Sequence, residues 1–193
     1  MSLSVTPDPV LPEVLHVRPV RHGDARGWFS ETYSEAAFRA AGIAAHFFQD
    51  NHSRSAEAGT LRGLHYQAPP HAQAKLVRCI RGRLLDVIVD IRAGSPNFGR
   101  HTAFELDETN GLQVFVPEGF AHGFCTLEPG TEVIYKVTSP YAPQSDFGIA
   151  ADDPALGIRW PFAPGRLTLS ERDRKHPRLA DAPAHFTFSG AGA

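Results

Sequence analysis

The chain is 193 residues long, with 42% hydrophobic and 10% aromatic residues, enough to bury one substantial core and too little for two. Lys and Arg number 19 against 21 Asp and Glu, so a formal charge of −2 gives no bulk attraction to nucleic acid or an anionic membrane, and any bound anion must be held locally. No apolar run approaches the roughly 18 to 20 residues of a membrane span, and Pro7, Pro9 and Pro12 break the N-terminus where a secretion signal needs continuous apolar sequence; a soluble, cytoplasmic protein is expected.

From about residue 14 to 140, short apolar segments alternate with turn residues, the habit of an antiparallel sandwich or barrel. One helix is predicted early, with Ser34 as N-cap, E-A-A-F-R-A-A as its body and Gly42 as its stop. The clearest strand is 83–91: Leu85, Val87, Val89 and Ile91 share one parity and form the buried face, while Asp86 and Asp90 mark a wetter one. Arg81-Gly82 precedes it and Gly94-Ser95-Pro96-Asn97 follows it as turns. A second strand, 112–116, is entered through Asn110-Gly111, a hairpin signal, and left through Pro117-Glu118-Gly119. A third, 132–137, follows Glu128-Pro129-Gly130, and a second short helix is expected from Ser170. The 17 glycines and 16 prolines exclude a helical bundle, and Cys79 and Cys125, far apart and in no C-x-x-C pair, argue against a disulfide scaffold or thiolate metal knot. The end, 190–193, reads as frayed. Closing so many short strands without open edges favours an all-β jelly roll whose concave interior is the pocket.

Three polar heads stand on otherwise apolar faces. His65 shares parity with Leu61, Lys75 with Val77 and Cys79, and Tyr135 with Val133 and Val137. A lone barrel histidine is as readily a core imidazole as a catalyst, but a buried lysine is rare without a task or partner. Histidine, lysine and tyrosine together suit a general base, an oxyanion stabiliser and a general acid. P-E-G-F-A-H-G-F over 117–124 has the spacing of the second cupin motif, or is simply a tight turn. A metal-binding cupin also needs H-x-H and a glutamate on an earlier strand, where this chain reads H-Y-Q, so no metal is expected.

These segments, in order, resemble the dTDP-4-dehydrorhamnose 3,5-epimerase family over about residues 14–180. The matching runs are G-D-A-R-G-W-F-S-E at 23–31, Q-D-N-H-S at 49–53, L-R-G-L-H-Y-Q at 61–67, K-L-V-R-C at 75–79, D-V-I-V-D-I-R-A-G-S-P-N-F-G at 86–99, the 117–124 motif, Y-K at 135, D-D-P at 152, W-P at 160 and L-S-E-R-D at 169–173. The resemblance implies a single jelly-roll (cupin) domain, a double-stranded β-helix over 1–193 with short flanking helices, an N-terminal arm of about 1–25 and an irregular tail of about 150–193. It implies a homodimer, a dTDP-linked 4-keto-6-deoxy sugar as substrate and no cofactor. His65 would be the base, Tyr135 the acid on the opposite face, Asp173 the polariser of His65, and Lys75 and His122 neighbours of the sugar. Arg26, Glu31, Gln49, Asp50, Asn51, Arg62, Tyr141, Asp146 and Arg172 would bind the rest of the substrate, Tyr141 by stacking on thymine.

Each has a plainer reading. Arg26 fits a surface turn, Asp50 a turn or cap, and Asp173 the N3 place of a capping box begun by Ser170. Arg62 lies on the opposite parity from His65, so both reach one pocket only if Gly63 distorts the strand. Arg172 stands where the family usually has lysine, Asp146 where it has glutamate, and His22 where phenylalanine is common.

The chemistry is coherent in itself. A ketone at C4 acidifies the hydrogens on C3 and C5, and inversion needs a base on one face, an acid on the other and a cation by the enolate oxygen. The near alternative is a relative that inverts one carbon; further ones are a non-catalytic nucleotide-sugar cupin and a metal-dependent oxygenase. The presence of both His65 and Tyr135 argues against the former, and the missing H-x-H against the latter.

Overall fold

The computed structural model describes residues 3–190 and is built almost wholly from β-strands. In chain order these are β1 (Leu3–Pro7), β2 (Leu15–Pro19), β3 (His22–Asp24), β4 (Gly27–Phe29), β5 (Gln49–Ser55), β6 (Leu61–Gln67), β7 (Lys75–Arg81), β8 (Arg83–Asp90), β9 (His101–Asp107), β10 (Gln113–Val116), β11 (Phe120–Thr126), β12 (Thr131–Val137) and β13 (Asp146–Gly148), with one helix, α1 (Glu35–Ala40). A six-stranded sheet runs β1-β2-β10-β7-β12-β5 and a five-stranded sheet β13-β6-β11-β8-β9, while β3 and β4 form a separate hairpin.

The apolar side chains of both sheets meet between them: Val77 and Cys79 from β7, Leu84 and Ile88 from β8, Val114 and Val116 from β10, Phe120 and Phe124 from β11, and Val133 from β12. From β5 to β12 the chain passes between sheets at every connection except β8 to β9, as a jelly roll does. This corrects one expectation. Asn110-Gly111 does not close a hairpin; it carries the chain from β9 in one sheet to β10 in the other. The reversal is set locally, because Asp107 Oδ1 accepts from the Thr109 and Asn110 amides at 2.7 Å, and such bonds do not choose which strand receives the chain.

The strand 83–91 needs a second correction. Its Asp86 and Asp90 are fully buried, because that parity also carries Leu84 and Ile88 and faces the interior. The other parity, Leu85, Val87, Val89 and Ile91, lies under the C-terminal tail, whose Ile158, Trp160, Leu167, Leu169, Leu179 and Phe186 cover the five-stranded sheet. Both faces are therefore dry.

The early helix forms where expected and buries Phe38, although Ser34 at its N-cap makes no side-chain cap bond. The helix expected from Ser170 is only a single 3₁₀ turn, Asp173–Lys175, because Pro177 has no amide to donate and forces extended backbone on His176 before it. Of the end that reads as frayed, residues 191–193 lie outside the described residues. Among the described residues no helix is long and apolar enough to cross a membrane.

Candidate active site

A cavity of about 270 Å³ opens between the sheets. Arg62 and His65 of β6 and His122 and Phe124 of β11 enter it from one sheet, and Ser53 of β5, Lys75 of β7 and Tyr135 of β12 from the other. Ser170, Arg172 and Asp173 of the tail complete its wall.

His65 reaches the cavity by a route the regular parity does not give. Opposite β11, His122 pairs with His65 but Phe124 pairs with Arg62, so β6 holds an extra residue there. Gly63 absorbs it with φ +119°, and a Cβ on it would come within 2.7 Å of Gly123 Cα. Leu61, Leu64 and Tyr66 consequently pack under the tail, while Arg62 and His65 both face the cavity. The distortion required of Gly63 is present, and Leu61 and His65 do not share a face.

His65 Nε2 lies 2.5 Å from Asp173 Oδ1. A carboxylate beside it fixes the proton on Nε2 and leaves the Nδ1 lone pair as the basic atom. Burial pulls the His65 pKa below its ordinary value, outweighing the upward pull of Asp173, so the ring is neutral at neutral pH. Burial opposes ionisation of Asp173, but hydrogen bonds with His176 and His65 hold its carboxyl far below the usual range. The Asp173 amide donates to Ser170 Oγ at 3.1 Å, so the cap and the partnership with His65 coexist.

Facing this pair, Lys75 Nζ donates to the His65 carbonyl at 3.2 Å, and burial lowers its pKa to about 8 against the pull of Asp146 and Asp86. Burial raises Tyr135, which keeps its phenolic proton. His122 Nε2 bonds Asp86 Oδ2 at 2.8 Å, a second buried imidazole-carboxylate pair.

A smaller recess of about 150 Å³ shares His65, Lys75 and Tyr135 with the cavity and adds Gln49, Asn51, Tyr141 and Asp146. Gln49 links its members: its Nε2 donates to Asn51 Oδ1 at 2.7 Å and its Oε1 accepts from the Tyr141 amide at 3.2 Å. The Tyr141 ring is exposed. Arg172 Nη1 bonds Asp146 Oδ2 at 2.6 Å.

Three of the expected residues lie elsewhere. Asp50 alternates with Gln49 and Asn51 on β5, so it points to the outer surface, where it pairs with Lys136 at 2.8 Å. Arg26 is an exposed turn residue on the β3–β4 hairpin, bonded to Asp24 at 2.5 Å. Neither it nor Glu31 lines the cavity or the recess. His22 sits exposed on β3 of the same hairpin.

Three residues were missed. Asp86, expected on a wetter face, shares its parity with Leu84 and Ile88, which mark that face as buried. Ser53, whose buried Oγ has no partner among the described residues, lines the cavity and shares parity with Gln49 and Asn51. His176, three residues beyond Asp173 on the turn begun at Ser170, lies with Nε2 3.4 Å from Asp173 Oδ1. Donor atoms of His65, Asp173 and His176 fall within 4.8 Å of one another, and the 2.5 Å between His65 Nε2 and Asp173 Oδ1 is a hydrogen-bonding distance.

The family model described as dTDP-4-dehydrorhamnose 3,5-epimerase matches residues 9–181. A dTDP-4-dehydrorhamnose 3,5-epimerase of Sinorhizobium fredii is 49% identical over 176 residues, 91% of this chain and 90% of that one. A solved dTDP-6-deoxy-D-glucose-3,5-epimerase of Legionella pneumophila, in complex with dTDP-4-keto-L-rhamnose, superposes with a TM-score of 0.91 at 37% identity, covering 97% of this chain and 99% of that one. A 3'-monoepimerase from Streptomyces bikiniensis, in complex with dTDP-quinovose, superposes with a TM-score of 0.83 at 35% identity, covering 91% and 87%. With the family match spanning nearly all the strands and both histidine-carboxylate pairs, the chain belongs to the dTDP-4-dehydrorhamnose 3,5-epimerase family.

Proposed function

We propose that the protein is an isomerase, a single jelly-roll domain acting in the cytoplasm, that inverts C3 and C5 of dTDP-4-dehydro-6-deoxy-D-glucose to give dTDP-4-dehydro-L-rhamnose. The observation that carries this reading is that His65 and Tyr135 enter one cavity from opposite sheets. His65, oriented by Asp173, takes the proton from the carbon beside the ketone. Lys75 and His122 stabilise the enolate oxygen, and Tyr135 returns a proton from the other face. Each step is a proton transfer with no change of oxidation state, so the reaction needs no redox cofactor.

Gln49, Asn51, Arg62, Tyr141, Asp146 and Arg172 would hold the nucleotide, with Arg62 offering forked donors to the diphosphate and Tyr141 stacking on the base. Arg26 and Glu31 would serve a neighbouring copy in a homodimer, and the exposed Trp28 and Phe29 beside them on β4 supply apolar surface for such a contact.

A one-carbon epimerase is the second reading, supported by the likeness to the 3'-monoepimerase. Proton NMR of the enzyme with the 4-keto sugar nucleotide in deuterated water separates the two. Deuterium at both C3 and C5 with an L-rhamno product is expected; label at one carbon selects the second reading, and no label overturns both.

A further inference from the structure

We propose that His176 is a positioning residue: from a slot opened by Gly148 it braces Asp173 from behind and so holds the Asp173–His65 pair in the geometry that proton transfer needs. The inference rests on His65 being the base.

His176 closes the 3₁₀ turn that begins at Asp173, and its side chain is 9% exposed. Its Nε2 approaches the same carboxylate oxygen, Oδ1, that bonds His65, and the two imidazoles stand edge to face with centroids 5.5 Å apart. At 3.4 Å the contact is long for a hydrogen bond, and among the described residues this buried nitrogen has no hydrogen-bond partner nearer to hand. A buried donor is normally satisfied, so Asp173 is the acceptor this geometry serves, and catalytic hydrogen bonds commonly tighten once the site is filled.

A second observation comes from β13. Gly148 is the register partner of His65, and its backbone lies outside the left-handed region that calls for glycine. The space above it does call for one. A Cβ on residue 148 would meet His176 Cδ2 and Cε1 at 2.6 Å and Nε2 closer still, so the missing side chain is the slot that seats the ring. The chain is pinned just beyond, where the Ala150 amide donates to the Pro177 carbonyl at 2.8 Å. With two donors on Oδ1 the carboxylate has one favoured rotation; with only His65 it can swing and take the imidazole with it. Small misplacements of a catalytic group cost rate more than binding.

The test compares wild type with His176→Leu, His176→Gln and Gly148→Ala, and His176→Ala with His176→Ala/Gly148→Ala. Steady-state kinetics, melting temperature and the downfield proton NMR signal of the His65–Asp173 hydrogen bond without substrate are recorded for each. His176→Leu should lower kcat about 10- to 100-fold with KM within about twofold, and His176→Gln, which keeps an N–H donor, should restore most of the rate. Gly148→Ala should match His176→Leu but cost nothing further in the His176→Ala background, where the slot is empty. The downfield signal should shift or broaden in the leucine variant and persist in the glutamine one. Wild-type kcat in His176→Leu, or an equal Gly148→Ala loss in both backgrounds, overturns the proposal. Should the wild type fail to exchange any sugar proton, the reading of His65 as base falls, and the substrate-free signal still decides whether His176 holds the pair.

Discussion

Arg172 Nη1 donates to Asp146 Oδ2 at 2.6 Å and its Nη2 to the Asp146 carbonyl at 3.1 Å, so two residues that the sequence flagged separately are one ion pair. The pair ties the tail to β13.

The pair should therefore behave as a unit. Arg172→Lys alone leaves the ammonium short of Asp146 and should raise KM about fivefold, the equivalent of about 1 kcal/mol for a partly exposed pair. Adding Asp146→Glu should recover most of that loss. Kinetics of the single and double variants measure the coupling, and additive effects would show that the two side chains act independently.

Tyr135→Phe keeps the packing against the core between the sheets and removes only the hydroxyl. Solvent deuterium should still exchange into the sugar through His65, while epimerised product falls about 10²- to 10⁴-fold. Product stereochemistry and label read by NMR check it; normal product formation would assign the acid elsewhere.

The pH profile of kcat/KM follows from two shifts. Because the base must be neutral and the His65 pKa lies below 6.5, the acid limb should fall below that of free imidazole. Lys75 must be charged beside the enolate oxygen, and since it loses its proton as pH rises through about 8, the basic limb should lie near there. Lys75→Met should lower the plateau and abolish that limb. A limb that persists in the variant would belong to another group.

Gly63→Ala should destabilise by about 1–3 kcal/mol, since it forces a side chain into φ +119° against the β11 backbone. Calorimetry reads the melting temperature. The folded fraction should also lose activity, because Arg62 and His65 depend on that bulge to share a wall.

Tyr141→Ala should weaken dTDP binding about 5- to 150-fold, from a stacking contribution of about 1–3 kcal/mol, with little change in melting temperature because the ring is exposed. Isothermal titration with dTDP decides it; unchanged affinity would leave the ring a surface residue.

Period-two reasoning found Lys75 and Tyr135, since β7 and β12 are regular through those residues and each sits among apolar neighbours of its own parity. It failed on β6, where the bulge at Gly63 breaks the period, and His65 faces the cavity although its parity with Leu61 does not. It failed again at Asp86, because a strand covered on both faces has no wet side for a carboxylate to mark. Asp173 and His176 act through contacts made by an irregular tail, which has no periodicity to read. Arg26 and Glu31 were legible only through the family resemblance, and within one chain nothing brings them to the cavity.

The tail has a consequence for when the protein can work. Asp173 and His176 belong to a segment that follows β13 and lies on the five-stranded sheet as a cover, joined to it by apolar packing and by short bridges at Thr168 and Thr187 and not by a full strand. Such an outer layer can lift at a lower free energy than global unfolding. Newly made or briefly opened molecules would then hold an intact sandwich, with His65 in place, yet lack the charge that readies it. On the proposed mechanism the active state then lasts only as long as this cover stays in place, whatever the lifetime of the sheets beneath it.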